Sequence, residues 1–339
     1  MPIRVAINGF GRIGRNTFKA SFGRLKDLEF VAVNDLTDTK TLAHLLKHDT
    51  SYGMYDHEVS HDAQNVIVDG KKIRVYAEKD PTKLPWGKEK IDVVLECTGR
   101  FTDEAGAGQH ITAGAKRVII SAPAKGGNVP THVLGVNPEG AGKAKVINNA
   151  SCTTNCIAPV AAIMHEAFGI KKALMTTTHG YTADQNLQDG PHKDLRRARA
   201  AAANIVPTST GAAIAVTEVI PELKGLFDGL ALRVPVPVCS LSDFTFLLKK
   251  KTTAEEINAL FKKAAKSPRW KGILAVSEEP LVSSDFIKNP HSSIVDLELT
   301  KVIDGDFVKV VAWYDNEWGY SCRLGEMALH VGKSLGAKK

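Results

Sequence analysis

Short runs of consecutive hydrophobic residues alternate with helical stretches through the first 150 residues of the chain. Residues 15–22 follow the first run and begin a predicted helix. Alternation of this kind is typical of a doubly wound parallel sheet. We therefore predict a Rossmann-type α/β domain over residues 1–150. Its predicted strands are residues 4–8, 30–34, 91–97 and 117–121.

The pattern changes after residue 150, where the β-rich segments become longer. Residues 161–168 continue a helix, residues 253–265 form an amphipathic helix, and residues 322–335 predict a terminal helix. The predicted strands are residues 173–178, 230–238, 240–248, 293–299 and 307–314. This half is expected to be an α+β domain over residues 151–316 with a mostly antiparallel sheet. Residues 181–203 are polar and basic, and a loop of that length is usually functional or buried at an interface.

Composition narrows the class of protein. A chain of 339 residues favours two domains, and its 43% hydrophobic content is ordinary for a globular protein. The sequence has no apolar run of membrane-spanning length and no secretory signal. Its five cysteines form neither a disulfide framework nor a metal motif. We therefore expect a cytoplasmic protein without metal or membrane partners. The net charge of +7 is mostly dispersed, which favours a solvated surface with a phosphate site over nucleic-acid binding.

The start of the chain carries a dinucleotide fingerprint. Gly9, Gly11 and Gly14 form G-x-G-x-x-G between the first predicted strand and the first helix. Glycines at these positions permit a tight turn and a close approach of the backbone to pyrophosphate, which the helix N-terminus attracts. Asp35 ends the second strand, where an acid binds the adenosine ribose hydroxyls and repels a 2′-phosphate. These features predict NAD as the cofactor, in preference to NADP.

A thiol and a histidine suggest covalent chemistry. Cys152 lies where a new helical pattern begins, and Ser151 is a plausible N-cap, so the helix dipole could stabilise a thiolate. Pro159 argues for a kink or a later helix start. His179 follows a strand-like run and could serve as the base. Together with a dinucleotide, these residues suggest an oxidation that passes through a thioester.

A phosphorylated substrate would need hydrogen-bond donors in the same half. Arginine suits bidentate phosphate binding, and small hydroxyl and glycine residues allow close approach. Ordinary surface and turn chemistry explains the same residues equally well, and spacing does not decide between the two readings. The candidates are Thr153, Thr182, Arg197, Thr210, Gly211 and Arg233.

Over essentially its whole length, the chain resembles the phosphorylating glyceraldehyde-3-phosphate dehydrogenases. The resemblance implies an NAD domain and a catalytic domain with a large mixed sheet. It also implies a terminal helix, residues 317–339, that returns to the NAD domain. It further implies a homotetramer in which residues 181–203 form an S-shaped loop near a neighbouring subunit's cofactor. The motifs that carry it are residues 8–15, 34–35, 98–99, 150–156, 178–182, 194–199, 207–213, 232–237 and 313–320.

The resemblance also assigns roles residue by residue. Cys152 would be the nucleophile and His179 the base. Cys156, one turn further along, is expected to serve packing. The implied NAD contacts, beyond the fingerprint glycines and Asp35, are Arg12, Ile13, Lys79, Thr98, Ser121, Asn316 and Tyr320. Thr182 and Arg233 would bind the substrate's phosphate. Inorganic phosphate would bind at Ser151, Thr153, Arg197, Thr210 and Gly211.

The implied reaction is the oxidative phosphorylation of glyceraldehyde 3-phosphate to 1,3-bisphosphoglycerate through a Cys152 thiohemiacetal and thioester. Two alternatives remain at this stage. An erythrose-4-phosphate dehydrogenase would share the thiol, the histidine and the NAD site, but would release the acid to water. The other alternative is a basic protein that binds nucleic acid or a surface partner, which the net charge of +7 motivates.

Overall fold

The computed structural model describes residues 1–336, which divide into two compact units, each with its own sheet. The first unit comprises Met1–His132, Pro138–Ala150 and the chain from Ser321 onward. The second unit comprises Val133–Asn137 and Ser151–Tyr320. No helix within residues 1–336 combines the length and the apolar character that a membrane crossing requires.

The elements of the first unit alternate between strand and helix. In chain order they are β1 (Ile3–Asn8), α1 (Arg12–Ser21), β2 (Leu28–Asn34), α2 (Thr39–Lys47), β3 (His48–Asp49), β4 (Gly53–Met54), β5 (Val59–His61), β6 (Asn65–Val68), β7 (Lys71–Tyr76), β8 (Val93–Glu96), α3 (Glu104–Thr112), β9 (Arg117–Ile120) and β10 (Val146–Asn148). The helix α1 begins at Arg12, three residues before the predicted start, because its N-cap is Gly11 of the fingerprint itself.

An eight-stranded sheet forms the centre of this unit, in the order β10-β9-β8-β1-β2-β7-β6-β5. The pairings from β10 to β7 are parallel, and β6 and β5 extend the edge with antiparallel pairings. The four residues of β8 are all buried, as expected for a central parallel strand. The carboxyl ends of β1, β2 and β8 therefore meet at one edge, where ligands of such sheets bind.

The second unit begins with a long helix and continues as a strand-rich domain. Its elements are α4 (Cys152–Phe168), β11 (Ile170–Gly180), β12 (Val206–Ser209), α5 (Ala212–Val219), β13 (Phe227–Val234), β14 (Ser240–Leu248), α6 (Ala254–Ala265), β15 (Leu274–Ser277), β16 (Ser293–Ile303) and β17 (Phe307–Tyr314). Its seven-stranded sheet has the order β12-β13-β11-β14-β17-β16-β15. Two pairings, β11 with β13 and β15 with β16, are parallel, and the others are antiparallel.

The predicted fold class is confirmed: a parallel, doubly wound sheet and a mixed, mostly antiparallel sheet with helices. One predicted strand, residues 230–238, is too long at its C-terminal end. The observed strand β13 ends at Val234, because Pro235 and Pro237 have no N–H to donate to a ladder. Residues 181–200 contain no strand or helix, as expected of the long loop.

Helix α4 runs without interruption through Pro159. Twelve consecutive residues, from Thr153 to Met164, are buried. Burial on all sides of the helix stabilises it enough to offset the one backbone hydrogen bond that proline removes. The proline therefore does not delay the helix, which begins at Cys152.

The terminal helix α7 (Trp318–Gly336) lies within the predicted range of residues 317–339, of which residues 337–339 lie outside the described part of the chain. From Ser321 onward it belongs to the first unit. Arg24 Nη1 contacts Glu326 Oε1 at 3.1 Å there. A Cβ on Gly325 would lie 2.1 Å from Ser21 Oγ, so the helix packs closely against α1.

Candidate active site

The nucleophile candidate occupies the first turn of a helix. Ser151 is the N-cap of α4, with extended backbone, and its Oγ accepts a hydrogen bond from Thr154 N at 2.9 Å. Cys152 is consequently the first helical residue, half-buried, at the positive end of the helix dipole. This position favours the thiolate over the thiol.

His179 comes to the thiol from the end of β11. Its Nε2 lies 3.5 Å from Cys152 Sγ, and only 4% of the residue is exposed. Its Nδ1 lies 2.6 Å from the carbonyl oxygen of Gly180, which can only accept a hydrogen bond. Arg233 Nη1, which is only a donor, lies 3.2 Å from Nδ1 and also 3.2 Å from the same carbonyl oxygen. Because Nδ1 is much closer to that oxygen than to the guanidinium, we place the proton of the neutral ring on Nδ1, and the Nε2 lone pair faces the thiol. This tautomer suits a base.

Burial opposes a charge on either member of the pair. Burial, assisted by the neighbouring Arg233 guanidinium, lowers the pKa of His179 to about 3. Burial also raises the pKa of Cys152, while the Arg233 charge and hydrogen bonds from Thr153 act in the opposite direction. A neutral imidazole beside a thiol can take its proton when the thiol reacts.

Arg233 is positioned by the register of the sheet. It pairs with His179 between the parallel strands β13 and β11, so the two side chains are neighbours. Its Nη1 lies 3.2 Å from Gly180 O and 3.2 Å from Thr182 Oγ1. Burial lowers the pKa of Arg233, and its Nε has no hydrogen-bond partner within the described residues. A guanidinium that forms no salt bridge within the described residues and lies beside a hydroxyl can bind an anion.

Arg197, Thr210 and Gly211, also predicted to bind phosphate, lie in two different settings. Arg197 is already ion-paired with Asp184, and its Nε donates to Thr208 Oγ1 at 3.0 Å. Gly211 is the N-cap of α5 without a side-chain cap, and Thr210 Oγ1 accepts from Ala212 N at 3.2 Å. Sequence reasoning did not foresee the carboxylate partner of Arg197, because Asp184 is thirteen residues away along an irregular loop.

Thr153, in the first turn of α4, joins a buried hydroxyl chain. Its Oγ1 lies 3.0 Å from Tyr314 OH, which lies 2.8 Å from Thr177 Oγ1. Tyr314 also packs edge-on against the His179 ring, with 6.1 Å between ring centroids. Residue 314 was predicted at the end of a strand without a role, since nothing in a strand pattern indicates which tyrosine approaches the thiol.

The dinucleotide fingerprint in the first unit borders a cavity of about 340 Å³. Gly9 has φ +89°, and a Cβ on it would lie 2.8 Å from Thr98 N. A Cβ on Gly14 would lie 2.2 Å from Gly9 O. Both positions therefore require glycine. The residues lining the cavity are Asn8, Gly9, Gly11, Asn34, Asp35, Leu36, Glu78, Lys79, Cys97, Thr98, Arg100 and Phe101.

The cavity has the donors and acceptors that NAD requires. Gly11 is exposed and caps α1 without any side chain, which leaves backbone N–H groups available to pyrophosphate. The Asp35 carboxylate accepts from Phe10 N at 2.8 Å and from Thr37 N at 3.0 Å, and it retains lone pairs for ribose hydroxyls. The residues present therefore fit the cofactor.

The remaining predicted cofactor residues are found in both units. In the first unit, Arg12 Nη1 contacts Asp49 Oδ2 at 2.7 Å, Ile13 is half-buried in α1, and Ser121 hydrogen-bonds the Cys97 thiol. In the second unit, Asn316 Oδ1 accepts from Ser240 Oγ at 3.0 Å, and Tyr320 is buried.

Comparisons with known proteins agree with this geometry. The family model of the glyceraldehyde 3-phosphate dehydrogenase NAD binding domain matches residues 3–104, and that of the C-terminal domain matches residues 151–316. A glyceraldehyde-3-phosphate dehydrogenase of Mycolicibacterium smegmatis is 57% identical over 99% of this chain and 100% of the relative. One of Geobacillus stearothermophilus is 56% identical over 98% of each chain. One of Bacillus subtilis is 54% identical over 98% of this chain and 99% of the relative. The chain thus belongs to the glyceraldehyde-3-phosphate dehydrogenase family, and NAD is its cofactor.

Proposed function

We propose that the chain oxidises glyceraldehyde 3-phosphate with NAD and inorganic phosphate to give 1,3-bisphosphoglycerate. The observation that carries this proposal is the approach of Cys152 Sγ to His179 Nε2, at 3.5 Å, on the first turn of a helix. A thiol in that position forms acyl intermediates readily. The family shared with named dehydrogenases supports the substrate.

In the proposed reaction, Cys152 Sγ attacks the aldehyde carbon and His179 Nε2 takes the thiol proton. Nε2 then gives this proton to the former aldehyde oxygen, which becomes the thiohemiacetal hydroxyl, and takes it back from that hydroxyl during the oxidation. Bound NAD, held by the fingerprint glycines and Asp35, supplies the hydride acceptor that the oxidation requires. Oxidation leaves a thioester on Cys152. Its carbonyl carbon is attacked by phosphate, which breaks the C–S bond and releases the acyl phosphate.

We assign the substrate's phosphate to Thr182 and Arg233, whose side chains are 3.2 Å apart. Inorganic phosphate would be bound by the Ser151 and Thr153 hydroxyls, by Thr210 and Gly211 at the N-terminus of α5, and by Arg197. Since Arg197 already pairs with Asp184, phosphate must compete with that carboxylate. We therefore expect phosphate to bind more weakly than it would to an unpaired arginine.

Formation of NADH by the purified chain with glyceraldehyde 3-phosphate, measured with and without inorganic phosphate, tests this function. Rapid turnover that requires phosphate is the expected result. Slow turnover without phosphate would point to hydrolysis of the thioester, as in an erythrose-4-phosphate dehydrogenase. A folded, reduced protein that forms no NADH would contradict the proposal and favour a binding function.

We also propose that the chain assembles as a homotetramer. The second unit exposes an apolar groove of about 780 Å³, bordered by Leu174, Ile214 and Phe307, which are 66%, 66% and 47% exposed. Apolar surface of this kind is typical of subunit interfaces. Leu187 and Leu195, in the loop of residues 181–203, are 82% and 80% exposed and would add to the contact.

Sedimentation of the wild-type chain should show four copies, and Leu174→Glu should reduce that number. Leu45→Glu is the matched control, because Leu45 is 39% exposed but lies on α2 of the first unit. A monomeric wild type would contradict the assembly without affecting the proposed reaction.

The five cysteines are free thiols, which suits a reducing compartment, and we therefore assign the activity to the cytoplasm.

A further inference from the structure

A buried carboxylate lies beneath the dinucleotide cavity and is used by no step of the proposed reaction. Glu96 ends strand β8, directly before the cavity residues Cys97 and Thr98, and is 1% exposed. Removing a carboxylate from water is costly unless hydrogen bonds replace those with water. The hydrogen-bond partners of Glu96 therefore indicate which part of the structure the carboxylate holds in place.

Glu96 accepts hydrogen bonds on both oxygens. Oε1 accepts from Thr98 N at 2.8 Å and from the Thr98 hydroxyl. Oε2 accepts from Asn8 Nδ2 at 2.5 Å and lies 3.1 Å from His110 Nε2. Hydrogen-bond partners thus hold the side chain at both of its oxygens.

The His110 ring is held in the tautomer that donates to Glu96. Trp86 Nε1, which is only a donor, lies 3.0 Å from His110 Nδ1. Nδ1 must therefore accept, and the proton of the neutral ring must lie on Nε2. Both His110 and Trp86 are completely buried, so water cannot replace either partner.

The contacts continue from Glu96 to the rest of the cavity wall. Asn8 Oδ1 accepts from Asn34 Nδ2 at 2.7 Å. Asn34 in turn exchanges two hydrogen bonds with the backbone of Glu78, each 2.9 Å long. Asn8, Asn34, Glu78 and Thr98 all line the cavity. One carboxylate thus connects the ends of β1, β2 and β8 with the loop at residue 78.

The same carboxylate supports the first fingerprint glycine. Gly9 packs so closely against the Thr98 backbone that a Cβ would lie 2.8 Å from Thr98 N, the atom that donates to Glu96. A shift of Thr98 would therefore change the surface against which the Gly9 turn is formed. Positioning of this kind lowers the free energy that ordering the site costs when a ligand binds.

We propose that Glu96 is a positioning residue for NAD binding. Its carboxylate, with the His110 tautomer that Trp86 enforces, holds Asn8 and Thr98 in the geometry that receives the adenosine and pyrophosphate part of the dinucleotide. The inference rests on the proposed function, since it concerns the same cofactor site. It assigns to Glu96 no contact with the cofactor itself.

Glu96→Gln tests the proposal, because the amide has nearly the same shape but turns an NH₂ group toward neighbours that are themselves donors. We expect the Kd for NAD, measured by titration calorimetry, to rise at least about tenfold, or about 1.4 kcal/mol. ADP-ribose, which lacks nicotinamide, should weaken by the same factor. In steady state, KM for NAD should rise while kcat stays within about twofold, since uniform binding is what is lost.

Glu89→Gln is the matched control. It removes one negative charge from the same unit, where Glu89 Oε1 accepts from Tyr76 OH at 2.8 Å, and it lies outside the cavity wall. NAD affinity within twofold of the wild type is expected for this control. The same affinity for Glu96→Gln would overturn the inference. A wild-type chain that binds no NAD would instead contradict the proposed function.

Trp86→Phe separates positioning from general loss of stability, and it also serves if Glu96→Gln does not fold. In the wild-type background it removes the donor to His110 Nδ1, while the carboxylate still keeps the proton on Nε2, so the Kd for NAD should rise only about threefold. In the Glu96→Gln background the same change should strengthen NAD binding, because His110 Nε2 can then accept from the new amide. Additive effects, or an unchanged Kd in the single variant, would overturn the inference.

Discussion

Two buried histidines, one in each unit, differ in how their second ring nitrogen is used. His110 has protein partners on both nitrogens: Trp86 donates to Nδ1, and Nε2 faces Glu96 at 3.1 Å. His179 has a permanent partner only on Nδ1, through Gly180 O at 2.6 Å, whereas Nε2 faces the Cys152 thiol at 3.5 Å. The first ring is held by its surroundings, and the second is held on one side and reactive on the other.

The two rings also differ in the charge of their neighbours, which is negative at His110 and positive at His179. His110 donates to a carboxylate, whereas His179 lies beside the Arg233 guanidinium, and burial with that charge lowers the pKa of His179 to about 3. A fully satisfied polar group stabilises a unique geometry. A group with unused capacity and a shifted pKa is a candidate for chemistry. Burial alone therefore does not distinguish a structural histidine from a catalytic one.

Replacing the thiol that His179 faces should have the largest effect. Cys152→Ser should lower turnover by roughly 10⁴-fold or more, because the hydroxyl is a far weaker nucleophile beside the same imidazole. NAD affinity should stay near the wild-type value. NADH formation and calorimetric NAD titration measure the two quantities. Substantial residual turnover would contradict the covalent mechanism.

Replacing each histidine tests the difference between the two rings directly. His179→Asn should lower kcat by about 10²- to 10⁴-fold, the usual range for a general base. His110→Gln should lower kcat less than tenfold but destabilise the fold by about 1–3 kcal/mol, since buried partners lose their hydrogen bonds. Steady-state kinetics and urea unfolding check both. Equal losses of kcat would mean that the two rings do not differ in role.

Asp35 offers an intermediate case, in which a carboxylate is held by two backbone N–H groups and also lines the cavity. Asp35→Gly should reduce the preference for NAD over NADP by about tenfold, because a negative charge near the 2′-phosphate is removed. The ratio of kcat/KM for the two cofactors measures it. An unchanged ratio would show that Asp35 does not face the ribose.

The smallest expected effect is on stability as a function of pH. The pKa of His179 is about 3 when folded, against an ordinary value of 6.5, so the unfolded chain binds the extra proton between these values. The contribution of His179 is fully present above pH 6.5 and is lost as pH falls, by at most about 1.4 kcal/mol per pH unit. Urea unfolding of His179→Asn should show a smaller loss between pH 6.5 and 5. Parallel curves would contradict the buried, neutral ring.

Local patterns predicted much of the molecule. The apolar runs identified β1, β2, β8 and β9, and the glycine spacing between β1 and α1 predicted NAD as the cofactor, which the family comparison confirms. The family itself was also predicted correctly. Local signals were less decisive where they compete. Pro159 left the helix start open, and α4 begins at Cys152. The strand expected to reach residue 238 was predicted too long, since it ends at Val234.

The hydrogen-bond partners of Glu96 could not be predicted from local patterns. Glu96 was visible in the sequence as an acid at the end of a strongly apolar run, but nothing local indicated that its partners are Asn8, 88 residues earlier, and His110. The pairing of Arg197 with Asp184 was equally hidden, because irregular loops have no period from which side-chain directions follow.

The sequence by itself determined the fold class, the position of the dinucleotide turn and the pairing of a thiol with a histidine as candidate chemistry. These follow from period, from glycine geometry and from residue chemistry, all of which act over short stretches of chain. Only the tertiary structure decided which nitrogen of His179 faces Cys152 and which buried groups already have partners. Hydrogen bonds of that kind join residues far apart in the chain, so their pattern exists only once the chain is folded.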